Sequence, residues 1–196
     1  MIKLQYITVS GQQAPTPTWT PQPTLAPTPG IISLNLYPGW NFVSIPTRLA
    51  PGYDTAMAFN DVNVVGHSIF EYDASTQQWK TLRPDSQLAA LSSVWIYSQS
   101  EMTVLLRQNQ DPLQTPPTKQ LYVGWNAVGP GTSPIEAKYS FLSVQSEWIN
   151  CLGYNNQNQQ YDDMIIKGMN DERMLYPGNG YWLFMHADGV LAGSSA

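Results

Sequence analysis

An internal duplication constrains this chain more than any other feature of its sequence. Three short motifs occur twice in the same order, and the spacing between the two copies drifts by only a few residues. A fixed order with drifting spacing is typical of a duplicated unit that has accepted small loop insertions. The matched segments are 36–43 with 121–128, 72–79 with 154–161, and 93–97 with 180–184.

The duplication predicts two small modules rather than one large domain. We expect a mainly β (α+β) fold in which two duplicated antiparallel β-rich modules each contain one short helix. An isolated strand and an extended Pro/Thr-rich arm precede them. The predicted divisions are an N-terminal strand at 1–11, the arm at 12–31, module 1 at 32–110, a linker at 111–118 and module 2 at 119–196.

Local patterns within one unit predict its elements. Alternation of apolar and polar residues indicates half-buried strands, and turn residues such as Pro38 and Gly39 separate them. Two of the strands are spaced as a hairpin, the last two are expected to pair, and the second unit has a longer helical stretch at 134–149. These patterns place strands at 32–37, 40–45, 68–72, 78–82, 94–97 and 103–106, and a short helix at 54–60.

The first ten residues predict a strand that is detached from the modules. Ile2, Leu4, Tyr6 and Thr8 share one face, and polar residues interrupt the apolar run that a secretory signal needs. Such a strand can pair with a sheet edge of its own chain or of a neighbouring subunit, which makes it a candidate assembly strand. Without a signal, the chain is a processed form, an intracellular protein or a protein released by lysis, and whether Met1 is the natural start stays open.

Residues 14–30 form a proline-rich arm. Its alternating prolines lack the N–H donors that a helix or an inner strand requires. The composition predicts a semi-rigid, extended chain of the polyproline type. A spacer is the simpler interpretation, and recognition by a proline-binding domain is the alternative.

The repeated motifs resemble a known family. The order Gly-Trp-Asn, Tyr-Asp with a later Trp, and Gly-Tyr-Trp resembles an aromatic repeat of archaeal and bacterial surface-layer-like and adhesin-like proteins, here in two tandem copies. Such proteins often carry these repeats beside Thr/Pro-rich spacers, so the resemblance implies a fold and a surface setting rather than a chemistry. The repeat residues are Gly39, Trp40, Asn41, Tyr72, Asp73, Trp79 and Trp95 in unit one, and Gly124, Trp125, Asn126, Tyr154, Tyr161, Gly180, Tyr181 and Trp182 in unit two.

Physical reasoning gives these repeat residues structural roles. A glycine before the tryptophan permits a turn with positive φ, and the asparagine can bond backbone groups of that turn. The tryptophans supply the large apolar area that a small unit must bury. We therefore expect the four tryptophans at 40, 95, 125 and 182 to lie in the core. For Trp79 and Tyr161, which match each other, a packing role is favoured over ligand binding.

No pattern of reactive side chains predicts an enzyme. Neither His67 nor His186 has a second His or Cys at the spacing of metal ligands. Cys151 lies in an apolar segment, which predicts a buried thiol. The acidic doublets at 162–163 and 171–172 are expected in solvated loops, with a cation site as the alternative. The sequence thus predicts no catalytic residue, no metal ligand and no cofactor.

Aromatic residues without a repeat partner are the better candidates for stacking on sugar rings. Trp148 and Tyr176 are the predicted glycan contacts on this ground. The amide-rich segment 155–160 could also bond a polar ligand, although a hydrated hairpin tip is the simpler expectation.

Charge and hydropathy narrow the class of partner. The formal net charge is −5 and the nine Lys and Arg residues never cluster, which argues against nucleic acid. No apolar run reaches the roughly 18–20 residues of a membrane span. We expect a non-enzymatic structural or interaction protein of a cell envelope, surface filament or virion, located on an extracellular surface or a virion and homo-oligomeric. The alternative is a carbohydrate-binding module.

Overall fold

A computed structural model describes residues 30–111 and 113–193 of the chain. The predicted strand with Ile2, Leu4, Tyr6 and Thr8, and the arm up to residue 29, lie outside the described residues. We call residues 30–108 repeat 1 and residues 118–192 repeat 2. The strands of repeat 1 are β1 (Gly30–Leu36), β2 (Gly39–Ser44), β3 (Ile69–Asp73), β4 (Gln78–Leu82), β5 (Ser93–Ser98) and β6 (Met102–Gln108).

Repeat 1 is a two-layer sandwich of antiparallel strands. Four strands form one sheet in the order β2-β5-β3-β4, and β1 pairs with β6 in the second sheet. Every second residue of each strand points between the layers, as the strand period requires. Their aliphatic side chains form one buried cluster that includes Leu34, Leu36, Val43, Ile45, Val94, Ile96, Val104 and Leu106.

Repeat 2 follows the same plan with more short strands. Its main sheet has the order β11-β10-β14-β8, β12 also pairs with β10, and β7 pairs with β15 in a separate sheet. A second buried cluster lies in this repeat and also includes Leu91 of repeat 1. The strands are β7 (Thr118–Leu121), β8 (Gly124–Val128), β9 (Ile135–Glu136), β10 (Trp148–Asn155), β11 (Gln160–Tyr161), β12 (Ile165–Ile166), β13 (Met174–Leu175), β14 (Tyr181–Met185) and β15 (Gly189–Ala192).

The predicted mainly β fold with antiparallel sheets is confirmed. The predicted pairing of the last two strands of repeat 1 is wrong, because β5 joins β2 and β3 while β6 joins β1. These neighbours are distant in sequence, and the two strands belong to different layers of the sandwich.

The helical segments are shorter than the sequence predicts. Repeat 1 contains a single 3-10 turn, Ala56–Phe59, where a helix over 54–60 is expected. Repeat 2 contains one α-helical turn, Ala137–Ser140, and a 3-10 turn, Leu142–Val144, in place of a helix over 134–149. Burial of Phe141 and Val144 anchors these turns, and β10 already begins at Trp148 to pair with β14.

The Gly-Trp-Asn turn has the geometry that the sequence predicts. Gly39 and Gly124 adopt φ values of 106° and 93°. Asn41 is fully buried, accepts a hydrogen bond from the Tyr37 N–H at 2.8 Å, and donates to the carbonyls of Tyr37 and Gly39 at 2.8 and 3.0 Å. Asn126 forms the same three bonds in repeat 2, so the expected structural role of this asparagine is confirmed.

Within 30–111 and 113–193, no helix has the length and apolar character needed to cross a bilayer.

Candidate ligand-binding groove

The main sheet of repeat 1 carries aromatic residues on the face that points away from its core. Strand alternation sends Val43 and Val94 inward and their chain neighbours Phe42 and Trp95 outward. Trp95 lies opposite Phe42 on β2 and opposite Phe70 on β3. The outward residues are Trp40, Phe42, Phe70, Tyr72, Trp79, Trp95 and Tyr97.

Repeat 2 presents the equivalent row at matching register positions. Trp182 lies opposite Ala127 on β8 and Leu152 on β10, just as Trp95 lies between β2 and β3. Two positions differ in size, because Ala127 replaces a phenylalanine and Leu152 replaces another. The outward residues of repeat 2 are Trp125, Ala127, Leu152, Tyr154, Tyr161, Trp182 and Phe184.

The two rows meet across an approximate twofold axis between the repeats. Tyr72 contacts Trp182 edge to face at 5.2 Å, and Tyr154 makes the reciprocal contact with Trp95 at 4.7 Å. The backbone repeats the symmetry. The Ser44 N–H donates to the carbonyl of residue 178 at 2.9 Å, and the residue 129 N–H donates to the carbonyl of residue 91 at 3.1 Å. The two repeats are therefore related by approximate twofold symmetry.

Two adjacent pockets open along this junction, and together we call them the aromatic groove. One has a volume of about 440 Å³ and the other about 370 Å³. They share Tyr161 and Trp182, so they are continuous. The first is lined by Trp40, Phe70, Trp79, Trp95, Tyr161 and Trp182, and the second by Tyr72, Trp125, Leu152, Tyr161 and Trp182.

The pockets are related by the duplication. Trp40, Phe70, Trp79 and Trp95 of the first correspond to Trp125, Leu152, Tyr161 and Trp182 of the second. Every lining side chain is uncharged. The groove thus offers two similar subsites made of ring faces.

Phe42 lies beneath two of the rings that line the groove. Its side chain is fully buried and stacks on Trp95 at 4.7 Å and on Trp182 at 5.2 Å. An added Cβ at Gly180 would come within 2.6 Å of the Phe42 ring, so a glycine at position 180 is needed for this close approach. Phe42 therefore holds a tryptophan from each repeat in place.

Two exposed rings, those of Trp79 and Tyr161, form walls of the groove. Trp79 is 53% exposed and Tyr161 is 54% exposed. Trp79 contacts Trp182 edge to face at 5.7 Å, so the groove walls support each other. The expectation that Trp40, Trp95, Trp125 and Trp182 are core residues is wrong, because each is partly exposed and lines the groove.

The predicted glycan contacts lie elsewhere. Trp148 is only 2% exposed and packs against Phe141 in the core of repeat 2, so it offers no face to a ligand. The prediction for Trp148 is wrong because this tryptophan, which has no matching aromatic residue in repeat 1, fills the core of repeat 2. Tyr176 is half-exposed but lines a separate, polar cavity of about 370 Å³.

The amide-rich turn of repeat 2 covers the free edge of β2. Asn156 Oδ1 accepts from the Phe42 N–H at 2.8 Å, and Gln159 Oε1 accepts from the Trp40 N–H at 2.7 Å. Gln159 Nε2 donates to the Trp40 carbonyl at 2.7 Å. These bonds use the polar groups of an edge strand, so the expectation of a merely hydrated hairpin tip is wrong.

Charged side chains lie around the groove rather than in it. Asp73 is held by Lys80 and Ser75, whose hydrogen bonds move the pKa of its carboxyl well below the usual 3.8. Burial raises the pKa of Glu71 and lowers that of Lys119, whose ammonium donates to the Ser92 hydroxyl at 2.7 Å. These charges belong to the inner face of the sheet and to the junction.

The remaining reactive residues are dispersed. His67 lies at the edge of the groove with its ring 5.2 Å from Trp40, and the His186 ring bonds the Ser146 carbonyl at 2.8 Å. Cys151 is buried, as predicted, and burial strongly raises the pKa of its thiol. Among the described residues, no group of three or more His, Cys, Asp or Glu side chains is arranged to hold a metal ion.

The sequence contained a signal for the groove. In β5, the aliphatic residues Val94 and Ile96 alternate with the aromatic residues Trp95 and Tyr97, so both faces of the strand are apolar. Such strands must be covered on both sides, and a small module has only one core. The second face is therefore the one that contacts another module or a ligand.

No protein-family model matches the chain, and no curated protein or solved structure is similar enough to count as a match.

Proposed function

We propose that this protein is a non-enzymatic interaction protein of an extracellular surface assembly, and that the aromatic groove is its binding surface. The observation that carries the proposal is the groove itself: two continuous, uncharged pockets walled by exposed tryptophan and tyrosine rings. Monomeric soluble proteins rarely expose a large contiguous apolar patch, and such patches mark sites that bind a partner or a ligand.

The composition of the groove supports an interaction role. Tryptophan and tyrosine are enriched at binding hot spots, because each buries a large area and orders few torsions. The rings are also held in place before any ligand arrives, since Phe42 supports Trp95 and Trp182 from below. A preorganised surface loses less entropy on binding.

The setting is part of the same proposal. The resemblance to surface-layer-like and adhesin-like repeats and the Thr/Pro-rich arm favour a cell envelope, a surface filament or a virion decoration. The candidate assembly strand at Ile2, Leu4, Tyr6 and Thr8 stays a prediction. Antibody labelling of intact cells and purified particles would separate the three settings, and signal only from a cytosolic fraction would contradict all of them.

Solution mass tests the interaction role directly. Light scattering of the full chain over a wide concentration range is expected to show masses above the 21.9 kDa of one copy. The double variant Trp79→Ala/Tyr161→Ala removes the two most exposed groove rings. The double variant Tyr139→Ala/Tyr176→Ala removes two equally exposed aromatics outside the groove and serves as the matched control.

The expected result is loss of association in the groove variant and unchanged association in the control. Urea midpoints of both variants establish that they remain folded. A full chain that stays at 21.9 kDa throughout, or a groove variant that associates as well as the control, would contradict the proposal.

Carbohydrate binding is a second candidate, favoured by the half-exposed faces of Trp79 and Tyr161. Against it stands the apolar lining, because sugar hydroxyls require hydrogen-bonding partners beside the stacking ring. A glycan array followed by tryptophan fluorescence titration tests it. Saturable binding that Trp79→Ala abolishes, in a chain that stays monomeric, would favour this candidate over the first.

A further inference from the structure

We infer that the aromatic groove of one copy binds the proline-rich segment 14–29 of a second copy. This inference rests on the proposed function, since it names the partner of the same surface. The segment and the groove belong to one chain, so each copy would carry both halves of the contact.

The segment has a regular pattern. Pairs of prolines two residues apart recur every six residues, and a larger apolar residue, Trp19 or Leu25, follows each of the first two pairs. A polyproline helix has three residues per turn, so positions six apart lie on the same ridge. The composition thus predicts a ligand with a repeating apolar face. The pairs are Pro15 and Pro17, Pro21 and Pro23, and Pro27 and Pro29.

The groove has the chemistry that recognises such a ligand. Proline-rich segments in this conformation bind aromatic-lined grooves, where proline rings pack between aromatic side chains. Two adjacent subsites of similar composition suit a ligand whose apolar positions repeat. Because the polyproline conformation is largely preformed, little conformational entropy is lost when it binds.

Charge and hydrogen bonding agree with this partner. Residues 14–29 carry no charged side chain, and no charged side chain lines the groove, so binding desolvates no ion. Proline segments present carbonyl acceptors but few N–H donors. The tryptophans that line the groove each carry an indole N–H, a donor group that complements these acceptors.

The position of Gly30 favours a second copy over the same chain. Gly30 pairs with Gln108 at one end of β1, whereas the groove residue Trp40 follows the Leu36 end. Six residue steps separate these ends by about 20 Å. β1 also packs against the inner face of the sheet, opposite the groove. An arm that continues β1 backwards therefore leads away from its own groove.

Reaching its own groove would require the arm to reverse and cross the sandwich. Sixteen residues of polyproline chain span about 50 Å and are semi-rigid, so a tight reversal is unfavourable. An arm that extends to the groove of a neighbouring copy needs no such reversal. An arm-to-groove contact closes into a dimer when two copies exchange arms, and it generates larger rings or open filaments when each arm binds a further copy. Association should thus give dimers or larger assemblies.

The experiment compares full chains that differ only in the arm, and uses a synthetic peptide of residues 14–29 as competitor. The first variant replaces all six prolines of the arm by alanine. The matched control keeps the prolines and replaces four threonines. The substitutions are Pro15→Ala, Pro17→Ala, Pro21→Ala, Pro23→Ala, Pro27→Ala and Pro29→Ala in the first, and Thr16→Ala, Thr18→Ala, Thr20→Ala and Thr24→Ala in the control.

Light scattering is expected to give the unaltered chain and the threonine control a mass at least twofold above one copy at high concentration. The proline variant should fall to 21.9 kDa, and excess peptide should dissociate the unaltered chain. Persistent association of the proline variant together with an inert peptide would overturn the inference. If Trp79→Ala/Tyr161→Ala still abolishes association in that case, the proposed function stands with another partner surface. A full chain that remains monomeric throughout would overturn both.

Discussion

Replacement of Phe42 by alanine tests how the two repeats are joined. The ring is fully buried and stacks on Trp95 and Trp182, one from each repeat. Phe→Ala changes in a core cost about 3–5 kcal/mol of unfolding free energy, with the larger losses where the cavity cannot collapse. Gly180 has no side chain to fill the space, while the two tryptophans can relax only in part. We therefore expect a loss of about 4 kcal/mol.

Urea unfolding followed by tryptophan fluorescence measures this loss. With a slope of about 2 kcal/mol per molar urea, the midpoint should fall by about 2 M. Leu142→Ala is the control, because Leu142 is 58% exposed, and a change within about 0.5 kcal/mol is expected there. A Phe42→Ala loss below about 1 kcal/mol would refute the reasoning that this ring supports both walls of the groove.

Three further predictions concern the turn residue Gly39, the thiol of Cys151 and the loss of stability at low pH. Gly52→Ala, at a positive φ with open space around it, should cost about 1 kcal/mol by urea unfolding. Gly39→Ala should cost more, because its φ is also positive and its Cβ would displace the Gln159 amide that bonds Trp40; equal losses would contradict this. Because its thiol is buried, Cys151 should react with a thiol reagent no faster than the protein unfolds locally to expose it. Labelling in native buffer at the rate of an exposed thiol would contradict this prediction. Because the pKa of Asp73 is lowered by Lys80, its stabilisation is present above pH 3.8 and is lost on acidification below it. Asp73→Asn should therefore reduce stability at pH 6 more than at pH 2 in pH-dependent unfolding, and an equal effect at both would argue otherwise.

Much of the local structure of each repeat could be predicted from the sequence. Alternation located β1, the flanking turn residues located β2, and hairpin spacing located β3 and β4. The Gly-Trp-Asn turn has the φ values and asparagine bonds that its residue types require. These features depend on neighbours within a few residues. Pairing between layers does not, which is why β5 and β6 were expected to pair and do not.

The groove itself was harder to predict, because repeated aromatics fit a core and a binding surface equally well. In β5 the aliphatic residues Val94 and Ile96 fill the core, which leaves Trp95 for the outer face. Trp148 shows the converse, since an aromatic without a counterpart is buried against Phe141. The repeat pattern identifies equivalent positions, but only the sandwich topology decides which face of a strand is inside.

The indole N–H resonances of the tryptophans test the central claim most directly. A ¹H–¹⁵N spectrum of the full chain recorded from dilute to concentrated solution follows each indole separately, with single Trp→Phe variants giving the assignments. If the aromatic groove binds the arm of a neighbouring copy, Trp79 and Trp182 should shift together as concentration rises, while the buried Trp148 stays fixed as an internal reference. Groove resonances as constant as that of Trp148, in a chain that nonetheless associates, would contradict the account.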